Sequence, residues 1–317
     1  MMTSEINNKN NNPEYNKTQV MKYLIFTFGV AYIIQILTGI LYRYENRQFA
    51  YIQPVMAFMM FVPMIGVIFC GHGIKNMGYK PELKKNIRTF LIAWFIPSVL
   101  TAIGAALYFM IFPDHFDLTG KYMIESAGPE AAAQLETIGI PYSMMILSNV
   151  LGCVTYAPLI NGIFAMGEEI GWRGFLYPQL KAKFGHFKGL ILGGIIWGAW
   201  HWPLIWLIGY EYGETSGNPV GYVGAPITGM IVFCIFTVAI GILCDHLYEQ
   251  SGCILTASIL HGSINAAATI PIALCITNTG SLRLLGPAPN GLLAGLPIIV
   301  VAIYLLIKKN GYFRIDG

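Results

Sequence analysis

The sequence predicts an all-α, polytopic membrane protein, and three observations predict it. Of its 317 residues 55% are hydrophobic and only 11% are charged, against roughly 25% charged in soluble domains. The apolar residues run in stretches of about 20, the length that crosses a hydrocarbon core about 30 Å thick. Lys and Arg gather in short clusters between those stretches, where they report membrane orientation. The formal charge of +3 is small and forms no broad basic face, so nucleic acid is not an expected partner.

Residues 1–20, polar and Asn-rich, lack the apolar core and cleavage site of a secretory signal and read as a disordered cytoplasmic tail. Eight candidate spans follow, at 21–42, 51–74, 89–112, 143–167, 189–209, 223–244, 254–275 and 289–307. The fourth continues as a helix beyond its apolar part, because "EEIGWRGFLYPQL" keeps apolar residues at helical spacing until Pro178 ends it. With the N-terminus inside, fifteen basic residues fall on the inner side and only Arg43, Arg47, Lys121 and Arg283 on the outer. The long third-to-fourth loop is acidic through Asp114, Asp117, Glu125, Glu130 and Glu136. Both termini are therefore expected in the cytoplasm. The organisation is a tail (1–20), N-terminal helices with an external loop (21–142), a core (143–275) and a last helix with a cytoplasmic tail (276–317). No loop is long enough to bury a second core. The six cysteines lie in or beside apolar runs without a CxxC pair, so they read as small packing residues rather than disulfides or a zinc knuckle.

An ionisable group in lipid costs about 3 kcal/mol even on lenient insertion scales, so its presence calls for a function. Three sites qualify: Glu168, Glu169 and Arg173; His201 in "WGAWHWPL"; and His261 with Asn265 in "HGSINA". At 1.5 Å per residue all three can share one half of the bilayer, about 10 to 18 Å from the cytoplasmic helix ends. Glu169 and Arg173 are four apart, as are His261 and Asn265, so each pair lies on one helix face. Glu168 is turned about 100° from Glu169, which gives the two carboxylates different tasks.

Such a set suits attack of water on an amide. A carboxylate in a low-dielectric pocket can take a proton from water and pass it to the leaving amine, the role assigned to Glu168. His201 would orient the water, while His261 and Asn265 would donate to the developing oxyanion. The same residues also read as a zinc set, with Glu168, His201 and His261 as ligands, an open fourth position and Glu169 as base. Structurally, Glu169–Arg173 can be a helix clamp and each histidine a satisfied interior group. Trp197 and Trp200 can be packing residues or the wall of a substrate cleft. His72, His115, His186 and His246 read as interfacial, and Asp245 with Glu249 as a solvated helix end.

"EEIGWR" resembles the EExxxR motif of the CPBP intramembrane protease family, which includes type II CAAX prenyl endopeptidases and bacterial proteins linked to bacteriocin self-immunity. "WGAWH" resembles its second motif, an aromatic residue four before a His, and "HGSIN" its third, a His four before an Asn. The resemblance covers about 143–275. It implies an eight-helix membrane endopeptidase whose cavity opens to the cytoplasm. Transferred residue by residue, it implies Glu168 as water-activating carboxylate, His201 as its partner, His261 and Asn265 around the oxyanion, and Glu169 and Arg173 in support. Trp197 stands where Phe is common, which can reshape the cleft wall. The implied partners are membrane lipid and a peptide or lipidated protein of CAAX, leader or bacteriocin type, with zinc not firmly required. The expected location is a prokaryotic cell membrane. A non-catalytic immunity or scaffold protein of the same fold is the alternative; a proton-coupled transporter is disfavoured by the lack of an inverted repeat and paired broken helices.

Overall fold

The computed structural model describes residues 14–44, 51–121, 133–134, 137–213, 221–276 and 279–309. Most of the expected tail lies outside them, and so do Arg47, Glu125, Glu130, Glu136 and Arg314; the tail's last residues, from Lys17, already belong to the first helix. The described chain is helical, with one isolated β-bridge between Phe116 and Cys275. Its helices are α1 (Lys17–Tyr44), α2 (Ile52–Met59), α3 (Val62–Phe69), α4 (Leu83–Ile111), α5 (Tyr142–Val154), α6 (Ala157–Gly171), α7 (Tyr177–Phe184), α8 (His186–Trp200), α9 (Trp202–Ile208), α10 (Ile227–Ser251), α11 (Ile254–Ala273) and α12 (Leu296–Lys309).

The protein is an all-α polytopic membrane protein. Among the described residues five helices or helix pairs are long and apolar enough to span: Lys17–Tyr44, Ile52–Phe69, Leu83–Ile111, His186–Ile208 and Ile227–Ser251. A sixth results if α5 and the run Ala157–Phe184, bent by 57°, count as one. The remaining two of the eight sequence spans do form helices but fall short of that test. α11 carries His261, Asn265 and several Ser and Thr, which lower its hydropathy; α12 begins only at Leu296, after a turn-rich segment with Pro287, Pro289 and Gly291.

Breaks in the helices follow local chemistry. Pro158 opens α6, and the kink lies just before it at Thr155–Tyr156, since proline lacks an N–H and crowds the preceding backbone. Pro178 does not end the fourth helix. A wide π turn at Trp172–Leu176 precedes it, with the Tyr177 N–H bonded to the Trp172 carbonyl, and α7 continues to Phe184. The wider turn moves aside the carbonyl that the proline ring would meet in a regular helix.

Successive spans alternate in direction, so the bundle has two ends. One carries the basic segments Lys75–Arg88 and Lys181–Lys188, each a turn with the helix ends beside it. It is tied together by Lys181 Nζ on Asp245 (2.7 Å) and Glu249 (2.9 Å), by Asn86 Nδ2 on the Ser251 carbonyl, and by Ile254 N–H on the Gly78 carbonyl. Asp245 is buried while Glu249 is exposed, so the expected solvated helix end is an ion cluster that reaches from the interior to the surface. The opposite end is tied by loop pairing: Asp117 N–H to the Leu274 carbonyl, Ile276 N–H to the His115 carbonyl, and the Tyr142 hydroxyl to the Ala273 carbonyl.

Candidate active site

The two glutamates close α6, and the π turn behind them supplies a partner for each at i+4. Trp172 Nε1 donates to Glu168 Oε2 at 3.0 Å, and Arg173 Nη1 to Glu169 Oε1 at 2.9 Å. Trp197 Nε1, from α8, also donates to Glu168 Oε2, at 2.6 Å. Two indole donors thus fix the carboxylate, and Oε1 remains to take a proton. Arg173 is fully buried between the rings of Tyr177 and Trp197, with its guanidinium carbon 4.7 and 4.3 Å from their centroids. Cation–π attraction in a dry site helps carry a charge that would otherwise be costly.

His201 sits in the break between α8 and α9, where Pro203 cannot continue the hydrogen-bond ladder. Its Nδ1 donates to the Trp197 carbonyl at 3.0 Å, since a carbonyl can only accept. The lone pair therefore lies on Nε2. The break frees carbonyls at the end of α8, and α1 satisfies them: Gln35 Nε2 donates to Trp200 O at 2.7 Å and the Tyr32 hydroxyl to Ala199 O at 2.9 Å. His261 donates from Nδ1 to Glu169 Oε1 at 2.8 Å, which leaves its Nε2 for other work. α11 comes close enough because Gly262 lies against Gly162 of α6: a Cβ on Gly262 would stand 2.4 Å from the Gly162 nitrogen.

A cavity of about 750 Å³ joins these groups. Glu168, His201, His261, Asn265, Trp197 and Trp200 all line it, whereas Glu169 and Arg173 do not. The structure thus gathers every sequence-predicted site residue and divides them. Four polar groups and two indoles face the cavity, and the Glu169–Arg173 pair stands behind, with Glu169 bridging Arg173 to His261. Asn265 is exposed into the mouth. Trp197 serves as more than a wall, because its N–H holds Glu168.

Sequence reasoning missed Trp172, although its spacing of four from Glu168 repeats that of Glu169 and Arg173. It also missed Glu211, which lines the cavity and accepts a bond from Asn290 Nδ2 at 3.1 Å; in sequence it looks like an ordinary loop carboxylate.

Zinc does not fit this set as arranged. Among the described residues the one group of three potential ligands with atoms within 4.8 Å of one another is His186, Asp245 and Glu249 at the basic end; Glu168, His201 and His261 do not form such a group. In the first cluster the Lys181 ammonium already bonds both carboxylates.

Comparison with known proteins covers the same part of the chain. Residues 149–267 match the family described as type II CAAX prenyl endopeptidase Rce1-like, a stretch that holds all the residues above except those of α1 and Asn290. The CAAX prenyl protease 2 of Methanococcus maripaludis is 27% identical over 192 residues, 60% of this chain and 64% of that protein. The chain thus spans 64%, just under two thirds, of the length of that relative.

Proposed function

From a chain whose residues 149–267 belong to the Rce1-like type II CAAX prenyl endopeptidase family, we propose an intramembrane endopeptidase in which Glu168 activates water for attack on a peptide bond. The observation that carries this reading is a carboxylate held by two indole N–H groups on the wall of a cavity that His201, His261 and Asn265 also line. The His201 Nε2 lone pair accepts a hydrogen bond from the water, whose other proton passes to Glu168 as the oxygen, keeping the first, bonds to the carbonyl carbon. The oxyanion receives hydrogen bonds from Asn265 Nδ2 and from His261 in its doubly protonated form. Glu169, already bonded to His261 Nδ1, supports that imidazolium. Glu168 then returns its proton to the leaving nitrogen, the C–N bond breaks, and a carboxylic acid and an amine result. No step passes through a metal.

The substrate class is a peptide segment, lipidated or not, drawn in beside an apolar wall that includes Met56, Met60 and Met145. Methionine adapts to varied side chains, which suits a site that takes more than one sequence. The test is turnover of quenched fluorescent peptides by the purified chain in detergent, before and after exhaustive chelation. Cleavage should survive chelation, and Asn265→Ala should lower it by about a hundred- to a thousandfold, as loss of an oxyanion donor does. If the wild-type chain binds peptides and cleaves none, the same fold acts as a binding or immunity protein and the enzymatic reading fails.

A further inference from the structure

A second carboxylate, Glu211, lines the cavity alongside Glu168 and has no step in the hydrolysis. It lies in the tight turn that follows α9, where the Tyr212 and Gly213 N–H groups both return to the Gly209 carbonyl. Its φ is 65°, in the left-handed region that suits glycine and disfavours a residue with a Cβ. Such strain gathers at binding and catalytic sites, where the side chain rather than the backbone needs the position.

The Glu211 side chain is half-buried on the cavity wall, and neutral groups hold it. Asn290 Nδ2 donates to Oε2 at 3.1 Å, and the Tyr210 hydroxyl donates to the same carboxylate. Asn290 is itself fixed, since its carbonyl accepts the Tyr212 hydroxyl at 2.8 Å. Among the described residues no Lys, Arg or His forms an ion pair with Glu211. Arg283, which lines the same cavity, donates from Nη1 to the Tyr212 carbonyl. Burial holds the Glu211 carboxyl above the usual range, because the charged form has lost water and gained no cation.

The wall beside this carboxylate is aromatic. Tyr210, Phe233 and Phe236 line the cavity with His201; the Tyr210 and Phe233 centroids are 6.0 Å apart, and Phe233 and His201 5.0 Å. An acid among ring faces is the chemistry that binds an organic cation, since both attract positive charge. The aliphatic stem of Lys or Arg packs on such rings while its head reaches the acid. The reacting groups are close by. The Tyr210 ring lies parallel to that of His201 with centroids 6.0 Å apart, and its hydroxyl is near enough to Glu168 to feel that charge.

We propose that Glu211 is a specificity-determining residue that takes the ammonium or guanidinium of a Lys or Arg side chain on the substrate, at a position near the cleaved bond. This rests on the endopeptidase reading for the cleaved bond and on the surroundings of Glu211 alone for the cation. A basic side chain gives the carboxylate the partner it lacks, an apolar one leaves it unpaired, and an acidic one meets repulsion, so selection comes from both attraction and rejection.

The experiment uses the purified full chain in detergent and quenched peptides acetylated at the amino terminus. The peptides differ at one position, which carries Lys, Arg, Met or Glu and is moved along both sides of the cleaved bond. At one position kcat/KM should favour Lys or Arg over Met by about tenfold or more, the size of a hydrogen bond to a charged group. Glu211→Gln, which keeps the shape and the bonds to Asn290 and Tyr210, should bring that ratio near one, and Glu211→Lys should turn it in favour of Glu. A ratio near one at every position in the wild type overturns the proposal, and so does a Glu211→Gln chain that keeps the preference. A second arm needs neither variant. A Lys peptide with a ketomethylene link in place of the scissile amide is bound to the wild-type chain and treated with a carbodiimide, which joins a carboxyl to an amine in contact with it. Mass spectrometry should locate the new amide at Glu211; a cross-link only at other carboxylates, or none, overturns the proposal. If the cross-link forms at Glu211 and no peptide is cut, the cation site stands and the endopeptidase reading fails.

Discussion

At the basic end of the bundle, Lys181 bonds Asp245 and Glu249, Arg173 lies between two rings, and glycines let backbones approach until no Cβ would fit. At the other end α2, α5 and α11 stand apart around a cavity of about 750 Å³, and Gln53, Asn149 and Asn265 meet it with exposed polar side chains. The catalytic candidates lie where these two regions meet. Hydrolysis inside a membrane needs both: a rigid, dry wall that holds carboxylate and imidazole in one geometry, and an opening that admits water and a peptide. Electrostatic preorganisation belongs to the first and substrate exchange to the second.

The largest effect expected from breaking this contrast is at the shut end. Arg173→Leu leaves Glu169 as a fully buried carboxylate without its cation, which typically costs about 3–5 kcal/mol. The variant should lose much of its thermal stability in detergent, and activity with it, while Glu169→Gln/Arg173→Met should regain stability without activity. A melting curve of the single variant that matches the wild type would show that the pair does not hold this end together. A smaller loss is expected at the junction. Gln35→Leu removes the donor to the Trp200 carbonyl, a buried acceptor whose desolvation costs about 1–3 kcal/mol. Because that bond steadies the break where His201 sits, kcat should fall more than KM rises. Equal changes in both would assign Gln35 to packing alone.

The smallest effect belongs to the loop at Pro113–Gly120, which pairs with the end of α11. Burial alone would push the Asp117 carboxyl up, but bonds from the Thr119 hydroxyl and from the backbone N–H groups of Lys121, Thr119 and Gly120 outweigh it and hold it below the usual carboxylate range. A depressed folded value means that this stabilisation is complete above the ordinary carboxylate pKa of about 3.9 and is lost as pH falls through the lower, folded one. Wild-type stability should therefore drop more steeply below about pH 4 than that of Asp117→Asn. Parallel acid profiles would remove Asp117 from the account of that loop.

Much of the site was legible before the fold was known, for a physical reason. In an apolar chain each charged or imidazole side chain stands out, and i+4 spacing fixes which of them share a helix face. Glu169 with Arg173 followed that rule, and the three motifs met at one cavity. Three features were hidden. The apolar residues at Trp172–Leu176 fit the spacing of an ordinary helix, so the wider π turn left no separate mark and Pro178 looked like a terminator. α1 supplies Gln35 and Tyr32 across the bundle, a contact between residues about 165 apart that no local pattern encodes. The cavity itself draws its lining from α2, α5, α6, α8, α10 and α11, a convergence that no local pattern encodes.

The adjacent glutamates test the account most directly, because it gives them opposite duties. Turnover of a quenched peptide and a melting curve are measured side by side for Glu168→Gln and Glu169→Gln. Glu168→Gln should cut turnover by about a hundredfold or more, the size of a lost general base, while melting stays near the wild type. Glu169→Gln, which unpairs Arg173 and weakens the support of His261, should lower melting as well as turnover. A Glu168→Gln chain that cleaves at the wild-type rate, or one whose melting falls as far as that of Glu169→Gln, would contradict the assignment of Glu168 as the water-activating carboxylate.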